Sequence, residues 1–284
     1  MRVVVAYKWA PNPQEATVGA DGRVDWSRTR SRLSEYDAVA AEVGRTLVDG
    51  SREGGEVIGV SVGAAEAASS AARKACLPKG LDAAMILADD ALTRLGTAAT
   101  ATCLAAMIRR AGARDPVDLV LTGDGSMDVG AKIVPAYLAA LLGWPCLVEV
   151  TSVTGAPGEW IIERAFGGGT QRLRLTAPAV LSIATDAASP RPVGMKDILA
   201  AGRKPVEVVT LDALDAVEPV RQLVRGGPAG GDGDGASAPL DPAVEQISSR
   251  PPALRPRKRQ RIDGSDPAAA ARELVAALRT DGVL

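Results

Sequence analysis

Short, continuous apolar runs alternate with stretches of helical periodicity along the first half of this chain. Each run has the length of a buried strand. A glycine or polar turn follows it, and apolar residues then recur every three or four positions, as in an amphipathic helix. The predicted strands are 3–6, 56–62, 84–88 and 117–121, and the predicted helices are 35–48, 64–76, 97–110 and 131–142. This order favours right-handed crossovers, so we predict a doubly wound, mainly parallel α/β sheet with helices on both faces.

The pattern changes after Pro145. Three apolar runs, at 146–154, 160–165 and 171–176, are joined by glycine-bearing turns that are typical of antiparallel hairpins. Further strands are predicted at 179–184 and 206–210, a short helix at 198–201 and a small hairpin at 18–26. We therefore expect added antiparallel strands beside the parallel sheet.

A change of composition divides the chain. Between 226 and 239 the sequence is dominated by Gly, Asp, Ala and Ser, which bury too little apolar surface to become ordered. We predict an α/β domain at 1–225, a flexible linker at 226–250 and a C-terminal arm at 251–284. The arm includes a helix at 266–279 that is apolar on one side, so we expect it to dock on a partner subunit.

Composition excludes several classes of function. The 284 residues include no histidine, which excludes Ser-His-Asp and Cys-His catalysis and imidazole-based metal sites. Three widely spaced cysteines indicate neither a disulfide framework nor a metal site, and they favour a reducing, cytoplasmic location. No apolar stretch approaches the roughly 18 residues of a membrane span, so none is expected.

Charge gives little reason to expect a nucleic-acid partner. The net charge of -1 provides no general attraction to nucleic acid, and the few aromatic residues argue against a base-stacking platform. A local basic run at 255–261 is interpreted as a solvated arm or a protein contact.

The stretch 118–145 carries the strongest candidate chemistry. A buried strand leads into a glycine-bearing turn at 123–130 and then into a helix. In a parallel sheet such a turn lies at the carboxyl edge, where backbone amides and a helix N-terminus meet an anion, often a phosphate. A nucleotide is therefore the first ligand to expect. Lys8 and Lys132 are the best side-chain candidates for its phosphate, although each can also be a solvated lysine.

Five ordered blocks of sequence resemble one family. They are the opening Val-Val-Val-Ala-Tyr-Lys8, Ser61-Val-Gly63, the loop and helix from Gly123 to Trp144-Pro145, Pro178-Ala-Val180 with Ser189-Pro-Arg191, and Lys204-Pro-Val-Glu-Val208. Together they are similar to the β subunit of electron transfer flavoproteins, the family that includes FixA-type subunits, and the similarity covers nearly the whole chain. The fold implied is Rossmann-like, of the adenine-nucleotide α-hydrolase type.

The resemblance implies an electron carrier subunit rather than an enzyme. In this family the β subunit forms a heterodimer with an α subunit that holds most of the FAD, and it binds AMP structurally. Electrons arrive from flavin-dependent dehydrogenases that grip a loop of the β subunit. The partner-docking residues implied here are Arg191, Val193, Met195, Ile198 and Leu199.

The resemblance also implies a set of cofactor-binding residues at the ends of the strands and along the long loop. They are Ala6, Lys8, Ser61, Val62, Gly63, Gly123, Asp124, Gly125, Ser126, Met127, Asp128, Val129, Gly130, Ala131, Lys132 and Val134.

The loop departs from the family pattern. Asp124-Gly125 stands where the family usually has Lys-Gln, and Asp128 alone remains of an Asp-x-Asp-Thr-x-Gln run. Lost Thr and Gln side chains remove hydrogen bonds to a nucleotide, whereas backbone amides can still serve. The ligand is left open between AMP, a second FAD and none. The alternative functions are a nucleotide-binding or nucleotide-hydrolysing α/β enzyme and a stand-alone nucleotide sensor.

Overall fold

The computed structural model describes residues 1–19, 21–214 and 258–284, without the side chains of Arg94 and Asp212. These residues divide into two units, one within Met1–Ser248 and the other within Ser249–Leu284. The predicted linker at 226–250 lies outside the described residues.

The first unit alternates strands and helices as predicted. Its strands are β1 (Arg2–Ala6), β2 (Trp9–Pro11), β3 (Thr17–Val18), β4 (Val24–Asp25), β5 (Ser31–Leu33), β6 (Glu56–Gly63), β7 (Ala83–Ala88), β8 (Leu119–Gly123), β9 (Cys146–Ala156), β10 (Glu159–Phe166), β11 (Gly169–Leu175), β12 (Ala179–Ile183) and β13 (Val206–Val209). Its α-helices are α1 (Glu35–Asp49), α2 (Ser70–Cys76), α3 (Thr97–Ala111), α4 (Val134–Leu142) and α5 (Met195–Ala201).

One large sheet organises this unit. Within the described residues its nine strands run in the order β11-β10-β9-β12-β8-β1-β6-β7-β13. The six strands from β12 to β13 pair in parallel, and β9 pairs with β12 in parallel as well. At one end β9, β10 and β11 pair antiparallel. The predicted fold class, a mainly parallel α/β sheet with antiparallel additions, is therefore confirmed.

Two hydrophobic cores cover the two faces of the sheet. Val3 and Val5 of β1 belong to the core that includes α1 and the end of α2, whereas Val4 and Ala6 belong to the core that includes α3 and α4. Because both faces of β1 are buried, this strand has to be apolar at every position.

Two predicted helices begin later than expected. The helix predicted at 131–142 begins at Val134, because Gly130 and Lys132 take positive φ angles of 61° and 57°, which are incompatible with a right-handed helix. The helix predicted at 64–76 is divided by Ser69. That residue is extended and its hydroxyl accepts a hydrogen bond from the Ala72 amide, so it caps α2 after a short 3-10 turn.

The predicted hairpin near residues 18–26 is present, since β3 pairs antiparallel with β4. The short helix predicted at 198–201 begins earlier, at Met195. Its first turn is stabilised by Asp197, whose carboxylate accepts a hydrogen bond from the Gly194 amide at 2.8 Å.

The second unit contains the predicted terminal helix, α6 (Pro267–Thr280). Asp266 caps it by accepting hydrogen bonds from the amides of Ala268 and Ala269, at 2.9 and 3.2 Å. Leu274 and Val275 are exposed on it. Its docking on a partner stays a prediction. None of the helices in the described ranges is long and apolar enough to cross a membrane.

The three cysteines are free thiols, and none forms a disulfide in the described structure. Burial raises the pKa of Cys76 and Cys103 to about 12, so both thiols stay protonated near neutral pH. Their role is core packing.

Candidate functional site

Three of the predicted segments meet at the carboxyl edge of the sheet. Ala6 lies opposite Val60 on one side and Thr122 on the other, so the ends of β6, β1 and β8 are adjacent. This register brings Lys8, Gly63 and the loop after Gly123 to one edge of the sheet.

Asp37 holds this edge together, and it is not among the residues predicted from the sequence. One carboxylate oxygen accepts the backbone N–H of Lys8 at 2.7 Å, and the other accepts the backbone N–H of Gly123 at 3.2 Å. Asp37 is 6% exposed. Burial raises its pKa to about 7, although both hydrogen bonds favour the ionised form. The carboxylate thus ties the end of β1 to the end of β8.

A signal for this role exists in the sequence. Asp37 lies on the buried stripe of α1, together with Ala41, Gly44 and Val48. An acidic residue at a core position needs hydrogen-bond donors from its neighbours, so its place on the helix identifies it as a residue with a specific partner.

Gly123 is needed because the N-terminal end of α1 approaches it closely. A Cβ at this position would lie 2.6 Å from Asp37 Oδ1 and 2.7 Å from the carbonyl carbon of Tyr36. Any larger residue would push α1 away from the loop.

Both aspartates of the loop 124–133 form ion pairs with lysines, one with Lys8 and one with Lys132 of the loop itself. Lys8 Nζ lies 2.6 Å from Asp128 Oδ2, and Lys132 Nζ lies 2.5 Å from Asp124 Oδ2. Burial raises the pKa of Asp128, but the hydrogen bond and charge of Lys8 outweigh it, so the net pKa is lowered. The hydrogen bond from Lys132 to Asp124 raises the pKa of Lys132. Both lysines predicted to meet a phosphate are therefore already paired with carboxylates.

Other donors remain at this edge. Within the described residues no backbone–backbone hydrogen bond engages the amides of residues 125–132, although the Gly130 amide donates to Ser126 Oγ at 3.2 Å and the Val129 amide donates to the Asp128 carboxylate. The buried hydroxyls of Ser34 and Ser61 and the indole N–H of Trp9 also lack a hydrogen-bond partner in the described structure. Uncharged donors and acceptors of this kind fit the sugar, base and phosphate oxygens of a nucleotide.

The remaining predicted cofactor-binding residues follow the same edge with graded exposure. Ala6 and Gly123 are buried, and Val62, Gly63, Gly125, Ser126, Met127 and Val134 are partly buried, whereas Val129, Gly130 and Ala131 are exposed. Contact of these residues with a cofactor stays a prediction.

The segment predicted to dock a dehydrogenase is anchored to α1 by Arg191. Its guanidinium donates to both carboxylate oxygens of Glu42, at 2.8 and 2.9 Å, and its backbone amide donates to the same carboxylate at 3.0 Å. Asp49 lies 3.5 Å away. The hydrogen bond from Arg191 lowers the pKa of Glu42 and raises that of Arg191. Arg191 thus fixes the segment within the chain.

The apolar residues of this segment differ in exposure. Met195 and Leu199 are 72% and 68% exposed, and they lie four residues apart on α5, hence on one face. Val193 and Ile198 are half-buried. Met195 and Leu199 therefore form a solvent-facing apolar tip, to which we refer as the α5 tip.

A second exposed apolar surface was not expected from the sequence. Ile133, directly before α4, and Tyr137 and Leu141 on it recur every four residues and are 46%, 47% and 38% exposed. Leu138 and Ala139 of the same helix are buried. A helix that is apolar on both sides is typical of one that packs between two bodies. We refer to these three residues as the α4 stripe.

A comparison with known families identifies the same family, without distinguishing its subunits. The family model described as the electron transfer flavoprotein domain matches residues 22–214. The matched range contains the loop 124–133, the α4 stripe, Arg191 and the α5 tip. It covers more than half of the 284 residues.

Proposed function

Since this chain belongs to the electron transfer flavoprotein family, we propose that it is the β, FixA-type, subunit of a heterodimeric electron carrier. In this proposal the α subunit holds most of the FAD, and this chain covers part of the cofactor. Electrons pass from a flavin-dependent dehydrogenase to the FAD and then to an acceptor. The chain performs no bond-making chemistry on a substrate. A cytoplasmic location stays a prediction.

The α5 tip is the observation that carries the proposal. A bidentate ion pair of Arg191 holds the segment that leads into α5, and Met195 and Leu199 project into solvent beyond it. Exposed methionine and leucine side chains adapt to the shape of a partner and suit brief protein contacts. This is the segment that the family resemblance assigns to dehydrogenase docking.

The α4 stripe supports a permanent partner. Its three apolar side chains are exposed in the isolated chain and follow directly on the loop at the sheet edge. Exposed apolar side chains at the centre of a patch are a feature of stable subunit interfaces. An α subunit packed here would lie next to the loop and could place its flavin near it.

An adenine nucleotide at the loop is the second part of the proposal. The amides of 125–131 and the hydroxyls of Ser34 and Ser61 would hold it, since these amides make no backbone–backbone hydrogen bond and the two hydroxyls have no partner within the described residues. Lys8 and Lys132 would join only by leaving Asp128 and Asp124. We therefore expect AMP, if it is the ligand, to be held mainly by uncharged donors.

Purification with a partner tests this function. The full chain is co-expressed with an α-type subunit of the same family, the complex is isolated, and its absorption spectrum is recorded. We expect a one-to-one complex with a flavin spectrum that bleaches when a reduced flavin dehydrogenase is added. A colourless chain that stays monomeric beside each α-type subunit would contradict the proposal. Mass spectrometry of the small molecules released on denaturation identifies the nucleotide.

The alternative is a nucleotide-hydrolysing enzyme. It requires carboxylates that are free to hold a metal ion and a general base, yet Asp124 and Asp128 are each paired with a lysine. Within the described residues no three His, Cys, Asp or Glu side chains are grouped for a metal ion. Turnover of ATP by the purified chain that is lost in Asp128→Ala would favour this alternative.

A further inference from the structure

An open cavity of about 550 Å³ lies between α2 and the end of α5, away from the loop at the sheet edge. Its volume falls within the range of roughly 300–1,000 Å³ that is usual for small-ligand sites. The walls combine apolar side chains, such as Leu77 and Val206, with three cationic ones, Arg73, Lys74 and Lys204. No carboxylate is among the described residues that line it.

The three cations have no acidic partner within the described part of the chain. Arg73 Nε donates to the carbonyl oxygen of Ala68 at 2.9 Å, and Lys204 Nζ donates to the carbonyls of Leu77 and Leu81 at 3.2 and 2.5 Å. Uncharged carbonyls orient Arg73 and Lys204 without neutralising them, and Lys74 is exposed. The cavity therefore presents an excess of positive charge.

The two carboxylates whose charges act on Lys204 are engaged elsewhere. Asp82 lies 2.8 Å from Arg45 and also accepts the Val57 amide, and Asp197 accepts the Gly194 amide. Burial lowers the pKa of Lys204, and the positive charges of Arg45 and Arg191 lower it further. The negative charges of Asp82 and Asp197 raise this pKa, but the net shift is downward. An anion in the cavity would stabilise the charged ammonium group.

We propose that this cavity binds a small phosphate monoester, whose phosphate group contacts Arg73, Lys74 and Lys204 and whose apolar part packs against Leu77 and Val206. A phosphate dianion matches several cations better than a single carboxylate does, and a guanidinium can donate to two of its oxygens. The proposal does not depend on the proposed electron-carrier function, since none of these residues belongs to the loop, the α4 stripe or the α5 tip.

Calorimetric titration of the full chain with glycerol 3-phosphate, at constant ionic strength, tests the site. We expect saturable binding that becomes weaker by about tenfold or more in Arg73→Gln/Lys74→Gln, since this variant loses charge-assisted hydrogen bonds to the phosphate. The matched control is Arg52→Gln/Arg114→Gln, which removes the same charge at exposed positions outside the cavity. Its affinity should match that of the wild type.

Three outcomes would overturn the proposal. The first is a heat of binding that does not saturate as glycerol 3-phosphate is added. The second is an equal loss of affinity in the cavity variant and the surface control, which would indicate general electrostatic attraction. The third is binding that survives in Arg73→Gln/Lys74→Gln but is lost in Lys132→Gln, which would place the phosphate at the loop. Thermal unfolding of each variant without ligand verifies that it is folded.

Discussion

The carboxylate of Asp37, on α1, accepts the backbone N–H of Gly123, at the end of β8, over 3.2 Å. Its other oxygen accepts the amide of Lys8, at the end of β1. Pairing between β1 and β8 ends at Ala6 and Thr122, and beyond this point the carboxylate accepts the backbone N–H groups that the strands no longer pair with each other. The geometry of the loop therefore depends on one buried acid.

Replacement of this acid should change how stability depends on pH. The pKa of Asp37 is raised to about 7 in the folded chain, from an ordinary value of 3.8. The folded state therefore binds this proton more tightly than the unfolded state does. As pH rises from about 4 to 7, the Asp37 carboxyl lowers the free energy of unfolding, by at most about 1.4 kcal/mol per pH unit. In Asp37→Asn this contribution is absent, so the variant should gain stability relative to the wild type as pH rises.

Urea unfolding at several pH values from 4.5 to about 8 measures this difference. Asp186→Asn is the control, because Asp186 is exposed. Its difference from the wild type should be nearly constant over the same range. A constant difference for Asp37→Asn as well would show that Asp37 titrates at its ordinary pKa.

Gly123→Ala should destabilise the chain by about 1–3 kcal/mol, the usual cost of overpacking. The added methyl would lie 2.6 Å from Asp37 Oδ1, so α1 has to shift. Gly169→Ala adds the same methyl where the nearest atom is 3.9 Å away, and it should change stability much less. Chemical denaturation of both variants provides the comparison, and equal effects would contradict the close approach.

Arg191 and Glu42 should be energetically coupled. A double-mutant cycle with Arg191→Gln and Glu42→Gln should give a coupling of about 0.5–3 kcal/mol in the free energy of unfolding. The more exposed pair Arg172–Glu163, 3.6 Å apart, should give less, about 1 kcal/mol or below. Since the pKa of Glu42 is lowered from 4.5, the coupling should persist at neutral pH and disappear as pH falls below that value. If the two substitutions change the free energy of unfolding additively at pH 7, Arg191 is not anchored by Glu42.

The α5 tip should govern electron transfer from the dehydrogenase. Met195→Asp and Leu199→Asp place a charge on the proposed contact, so the rate of flavin reduction at low dehydrogenase concentration should fall by about tenfold or more. Stability should stay nearly unchanged, because both side chains are exposed. Val24→Asp, at an exposed site on a different part of the chain, is the control. Stopped-flow reduction measures the rates, and an unchanged rate would exclude this docking site.

The α4 stripe should govern assembly. Tyr137→Glu and Leu141→Glu should abolish co-purification with the α subunit, since a charge buried in an interface without a partner is costly. The isolated variants should fold normally, because both positions are at the surface. Retention of the complex by both variants would place the interface elsewhere, and circular dichroism verifies that they are folded.

Much of the fold was predictable because the strands of the parallel sheet are buried on both faces. Such strands are continuously apolar, as Val3 to Ala6 illustrate, and the turns that follow them can be assigned to one edge. The positions of Lys8 and the loop 124–133 at the carboxyl edge of the sheet followed from this arrangement of parallel strands.

The contacts inside the site were not predictable in the same way. Asp37 is a single acid in a helix, and its burial depends on how α1 packs against two strand ends. Arg191 and Glu42 are 149 residues apart, and no local pattern joins them. The late start of α4 depends on a left-handed Lys132, a conformation that sequence propensity assigns to glycine or asparagine. These features arise from tertiary packing.

If this chain is the proposed electron carrier, the anchoring of Arg191 to Glu42 has a consequence for how fast it exchanges dehydrogenases. A docking element that is already ordered loses little conformational freedom on contact, so two exposed side chains are enough for recognition. Such a small contact also separates quickly. In the proposed electron carrier, neither the arrival nor the departure of a dehydrogenase would have to wait for this segment to refold.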